Sequence, residues 1–333
     1  QIKIIYEQIL LYHFIVIVAN NHYPNESFFE KILIILKLFI KVMTQYFSNF
    51  EIFNIFKSNK RILLFFINEN IITIDKIICN IIIKGKYLKY KYPQYFIKEI
   101  APFVKENKQL IDEIPKEIPE YFENNRKFGT NEDYMCRLIQ ADLIDDFISY
   151  ANRSNISLGS TINQSIYETN SFLLENNPSL IEYALFYGSI QIFNYLRLNH
   201  VQLNENLWLY AIHGKNPDII HLLEEYQIIS DNKSNKKIIK ESIKCHHNDI
   251  SNYIISNYFN YDNSISKYGI KYHNYAFIKE TYCLYELCKY DYAILVNILL
   301  QNDGIDVNRV GILLLFNHVY FYFYSCFFFV FYM

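Results

Sequence analysis

Residues 2–19, IKIIYEQILLYHFIVIVA, are apolar except for Lys3, Glu7 and His13. Those interruptions, with no basic lead and no small-residue cleavage site, predict a buried helix rather than a signal peptide. In EIFNIFKSNKRILLFFI, the apolar residues Ile52, Phe53, Ile55 and Phe56 are followed by Ile62, Leu63, Phe65 and Phe66. Both groups have helical spacing and flank the polar run Lys57–Arg61, a pattern that predicts a helix, a turn and a second helix. In IDEIPKEIPEYFENN, Pro115 and Pro119 stop any helix from continuing. This stretch marks a connector, with a boundary near 115–130 that ends an N-terminal helical domain over 1–125.

Beyond the connector the pattern repeats. Compare YALFYGSIQIFNYL from Tyr183, YAIHGKNPDIIHLL from Tyr210 and ESIKCHHNDISNYI from Glu241. With Ala184, Ala211 and Ser242 in one column, 27 and 31 residues apart, Ile192, Ile219 and Ile250 align, as do Leu196, Leu223 and Ile254. A small residue, a polar turn and two apolar positions one helical turn apart predict a close-packed pair of antiparallel helices. A fourth unit, LYELCKYDYAILVNILLQNDGIDVNRV from Leu284, keeps the column through Leu287, Leu295 and Leu299.

The segment ILLQNDGIDVN, with Gly304 and Asn308, resembles the end of an ankyrin repeat. The stretches SLIEYA at 179–184, GSIQIF at 188–193, LWLYAIH at 207–213 and SIKCHHNDI at 242–250 are similar to the divergent repeats of a set of protist ankyrin-repeat proteins. The resemblance implies an all-α protein whose residues 126–310 form an ankyrin-type solenoid of helical hairpins that binds proteins on its concave surface. Leu287 in place of the usual Ala, the spacing of Thr281 from Leu284 and the end of the match after Val310 mark a truncated or decayed member. The start at Gln1 rather than Met reads as a fragment.

Composition narrows the function classes. The 333 residues are 51% hydrophobic and 20% charged, enough to bury a large core, and the formal net charge of −2 offers no field for nucleic acid. Eight Gly and seven Pro are too few for the many tight turns of a β-sandwich. Six scattered cysteines without a CxxC pair suit a reducing, cytoplasmic setting. Residues 311–333, GILLLFNHVYFYFYSCFFFVFYM, carry no Asp, Glu, Lys or Arg. A membrane-tethered adaptor anchored there is therefore the second reading, although the Phe and Tyr density and the missing basic flank count against it.

The conspicuous chemistry is Cys245-His246-His247. A metal-dependent enzyme built on it is a remote third reading, since adjacent histidines rarely converge on one ion and the repeat column places the triplet in an inter-helix turn. No phosphate loop, dinucleotide fingerprint or zinc-protease motif occurs. The expectation is therefore no catalytic residue, no cofactor and no metal. His213 and His221 read as polar surface groups, and Trp208 as core. Under the resemblance, the positions two and three after the column form the recognition stripe for an unidentified protein partner: Phe186 and Tyr187, His213 and Gly214, Lys244 and Cys245, Lys289 and Tyr290. The alternative for Phe186 and Tyr187 is packing beneath the N-terminal domain.

Overall fold

The computed structural model describes residues 2–21, 26–83, 92–104, 118–226, 232–258, 263–278, 284–290 and 292, and these are helical with no strand among them. The apolar N-terminal stretch forms α1 (Ile2–Asn21), followed by α2 (Glu26–Tyr46). The predicted helix–turn–helix is α3 (Asn49–Phe56) and α4 (Lys60–Asn68). Ser48 and Glu51 close a capping box on α3, and the Asn59 side chain accepts from the Ile62 N–H to start α4, so local hydrogen bonding sets both helix starts. Next come α5 (Lys76–Ile83), α6 (Tyr92–Tyr95) and α7 (Ile97–Val104). Their shared core is aliphatic and aromatic, including Tyr12, Leu36, Phe56, Leu63, Ile78 and Phe96.

The short helix α8 (Phe122–Phe128) is tied to α7 by a buried guanidinium. Arg126 Nη1 donates to both Glu99 oxygens at 2.9 and 3.0 Å, while Nη2 donates to Glu123 at 2.7 Å. This planar, two-pronged match compensates the desolvation of the charge.

The remaining helices pair into hairpins: α9 (Tyr134–Gln140) with α10 (Ile144–Arg153), then, after the short α11 (Ser171–Glu175), α12 (Leu180–Tyr187) with α13 (Ile190–Leu198). Two more follow, α14 (Leu207–Gly214) with α15 (Pro217–Glu225) and α16 (Asn232–Lys244) with α17 (Asn248–Tyr258). After them come α18 (Asn263–Lys271), a 3₁₀ turn at Tyr275–Phe277 and α19 (Leu284–Lys289). First helices pack in a row, α9 on α12, α12 on α14, α14 on α16 and α16 on α18.

The turns show how the row is built. The column residues Leu138, Ala184, Ala211, Ser242 and Gly269 are all buried. Four positions after each stands a left-handed residue: Asp142 (φ 51°), Gly188 (70°), Lys215 (52°), His246 (57°) and His273 (53°). One residue later the backbone N–H returns to the column carbonyl, as in Leu143 to Leu138 (3.0 Å), Ser189 to Ala184 (2.9 Å), His247 to Ser242 (3.2 Å) and Asn274 to Gly269 (2.8 Å). Four of the five first helices thus end in the same hydrogen-bonded left-handed cap, and α14 reaches the same left-handed conformation at Lys215. The column read from sequence at 184, 211 and 242 extends to Leu138 and Gly269, which the sequence reading missed. Leu138 lies 46 residues before Ala184, and the unit at Gly269 has only a 3₁₀ turn after its first helix.

Backbones touch where the hairpins meet. A Cβ on Gly214 would lie 2.2 Å from the Leu185 carbonyl oxygen, so only glycine fits there between α12 and α14. Side chains bridge the turns as well: Ser189 Oγ donates to Ile139 O at 2.5 Å, Asn216 Nδ2 to Gly188 O at 3.0 Å and Asn274 Nδ2 to Ile243 O at 3.0 Å.

The N-terminal helices dock on this row through polar contacts. Ser171 Oγ donates to Asn20 O at 3.2 Å, and the buried Lys60 Nζ donates to Ile166 O at 2.8 Å. Lys60 lies in the polar run read as the turn, and its ammonium reaches a carbonyl 106 residues away. Among the described residues no helix is long and apolar enough to cross a membrane. The second half of the expected fourth unit, with Leu295 and Leu299, and the tail 311–333 lie outside the described residues.

Candidate functional site

The Cys245-His246-His247 triplet follows α16 and diverges. His246 is the left-handed turn residue; its Nε2 donates to Tyr272 O in the next turn at 2.9 Å, and its ring stands edge-on to Phe14 of α1 at 5.3 Å. His247 is buried, and its backbone carbonyl accepts from Ser251 Oγ at 3.0 Å. Cys245 points elsewhere, into the seam between α14 and α16.

In that seam Cys245 meets His213 and Glu241. His213 Nε2 lies 3.1 Å from Glu241 Oε1, and Cys245 Sγ lies 3.5 Å from His213 Nε2, 3.6 Å from Nδ1 and 3.9 Å from Glu241 Oε1. Glu241 and Cys245 are four apart and so share one helix face. The imidazole packs against two rings, with centroids 4.5 Å from Phe172 and 4.8 Å from Phe186. Lys244 Nζ approaches Glu241 Oε1 at 3.2 Å.

Burial opposes ionisation of Glu241, but the hydrogen bond from His213 and the Lys244 ammonium outweigh it and hold the carboxyl at about 2. Burial lowers the His213 pKa despite Glu241, and burial together with the Glu241 charge pushes the Cys245 thiol well up. The seam therefore holds a carboxylate, a neutral imidazole and a protonated thiol. A nucleophilic cysteine needs the opposite, a lowered pKa and access to solvent. Cys245 is 1% exposed and His213 fully buried.

The recognition stripe expected from the resemblance is largely covered. Phe186, Tyr187, His213 and Cys245 are buried, and Lys244 is half-buried. Phe172 of α11 stacks on Phe186 with centroids 6.2 Å apart, and α1 packs on α11, so the chain's own N-terminal region lies over this side of the row. The expectation that His213 is a surface group fails for the same reason, whereas His221 is exposed and Trp208 is core. Lys289 is exposed, while Tyr290 packs partly buried against Ile270, Leu287 and Tyr292. Glu241 escaped the sequence reading. Its only signal was the four-residue spacing to Cys245, which ordinary solvated helix faces share.

The side left open is that of the second helices. Arg197 of α13 bonds the hydroxyl of Tyr226 just past α15, and Tyr253 of α17 donates to Glu224 of α15 at 2.7 Å. His221 lies edge-on to Tyr253, and Leu198 is 67% exposed at the end of α13. Three hairpins thereby share one surface of aromatic, basic and acidic groups. No protein-family model matches the chain, and neither does any curated protein or solved structure.

Proposed function

We propose that the chain is a divergent ankyrin-type solenoid that binds a protein partner without turnover, in a cytoplasmic setting. The observation that carries this reading is the recurring turn. Five first helices end at the same left-handed position, and their row leaves second-helix side chains free to vary. Because Phe186, Tyr187 and His213 are covered, the recognition surface moves to the second helices, at Arg197, Leu198, His221, Tyr226 and Tyr253. Exposed tyrosines beside arginine are the residue types that anchor protein interfaces.

The test is affinity capture with the full chain and with a Tyr226→Ala/Tyr253→Ala variant, each checked by thermal melting. The expected result is a saturable partner retained by the wild type and lost by the variant at an unchanged melting temperature. Equal recovery by both would remove the second-helix surface from the account.

A further inference from the structure

We propose that His213, Glu241 and Cys245 bind a divalent transition metal of the zinc class, which clamps α14 to α16. The three side chains supply one imidazole nitrogen, one carboxylate oxygen and one sulfur, the donor types zinc takes. They are buried together, and their ligand atoms lie within 4.8 Å of one another. Metal–ligand bonds of about 2.0–2.3 Å at tetrahedral angles separate ligand atoms by about 3.3–3.6 Å. The observed 3.1, 3.5 and 3.9 Å bracket that range. Glu241 lies in the last turn of α16 and Cys245 directly follows it, held by its N–H bond to Glu241 O at 2.9 Å, and the Phe172 and Phe186 rings pack against the imidazole.

Loading has a defined balance. The near-equal distances from Sγ to both ring nitrogens place the sulfur over the imidazole, so the Cys245 side chain rotates to bring it into the ring plane. The thiol releases its proton to solvent, the ring keeps one proton on the nitrogen that does not bind metal, and Lys244 withdraws from Glu241 Oε1. A fourth position remains for water. Entry is from the edge where Glu241 and Lys244 are 12% and 17% exposed, or before the hairpins close during folding. The clamp does not depend on what the second-helix surface binds.

The experiment uses the full chain, purified without chelator and titrated with Co²⁺ and then Zn²⁺. The expected result is one cobalt per chain, with a near-ultraviolet thiolate-to-cobalt charge-transfer band that zinc removes. Cys245→Ser should lose the band although the other five cysteines remain. Glu241→Gln should keep the band at saturating cobalt but bind about tenfold or more weakly. Absence of saturable binding, a band that survives in Cys245→Ser, or unchanged affinity in Glu241→Gln would each overturn the clamp. If Cys245→Ser fails to fold by circular dichroism, the Glu241→Gln affinity decides.

Discussion

The N-terminal helices and the hairpin row bury different kinds of residue. The cluster around Tyr12, Phe56, Leu63 and Phe96 is an apolar core with Asn20, Asn59 and Lys60 at its margin. The row also has an apolar core, yet along its turns it buries Ser189, Ser242, His247, Ser251, His273 and Asn274. Two of these bond from one turn to the next, Ser189 to Ile139 O and Asn274 to Ile243 O. An irregular core can rely on shape alone. A stack must also match backbone to backbone at a fixed register, and paired buried polar groups supply that match because leaving one unpaired is costly.

The largest expected effect comes from the side of the row that the chain itself covers. Phe186 is fully buried against Phe172 and His213, so Phe186→Ala should destabilise by about 3–5 kcal/mol, read by chemical denaturation. A small loss there would mean that the N-terminal region does not cover this face. Next is the backbone contact between hairpins. Gly214→Ala forces a Cβ toward the Leu185 carbonyl and should cost about 3 kcal/mol, the upper end for overpacking. An unchanged midpoint would show that α12 and α14 do not approach so closely.

A third prediction concerns the junction of the two regions. Glu168 is buried near Lys60 and Arg61, and its Oε1 accepts from the Thr169 and Asn170 N–H groups at 2.9 and 2.8 Å. Burial raises its pKa from 4.5 to about 7, partly offset by these hydrogen bonds and by Lys60. Between those values the unfolded chain has released a proton that the folded chain keeps. This group's contribution to stability therefore falls as pH rises from 4.5 toward 7. Glu168→Gln should flatten that part of the stability–pH profile; an unchanged slope would place the carboxyl in solvent. The smallest effect is expected on the open surface, where Tyr253→Ala should shift stability by no more than about 0.5 kcal/mol. A melt that moves by more would make Tyr253 a structural strut through Glu224.

Sequence reading succeeded where the pattern was local or repeated. Helical spacing around Lys57–Arg61 identified α3 and α4, and aligning Ala184, Ala211 and Ser242 located three hairpin turns, including the one that contains His246. It failed where distant chain segments meet. Nothing in the spacing of Phe186, Tyr187 and His213 shows that Phe172 and α1 lie over them. Nothing beside Cys245 points to His213, which belongs to the preceding hairpin. The cap that unites the turns tolerates Asp, Gly, Lys and His at its left-handed position, so residue identity there conceals a backbone conformation the units share.

That shared cap is the claim on which the stacked scaffold rests, and amide hydrogen exchange measures it directly. Leu143, Ser189, His247 and Asn274 sit in turns, where an amide open to water exchanges rapidly. In each, the N–H returns to a buried column carbonyl. The expected result is that all four exchange as slowly as amides within the first helices. Exchange of these four at the rate of open loops, while the helices stay protected, would contradict the common register and the stack built on it.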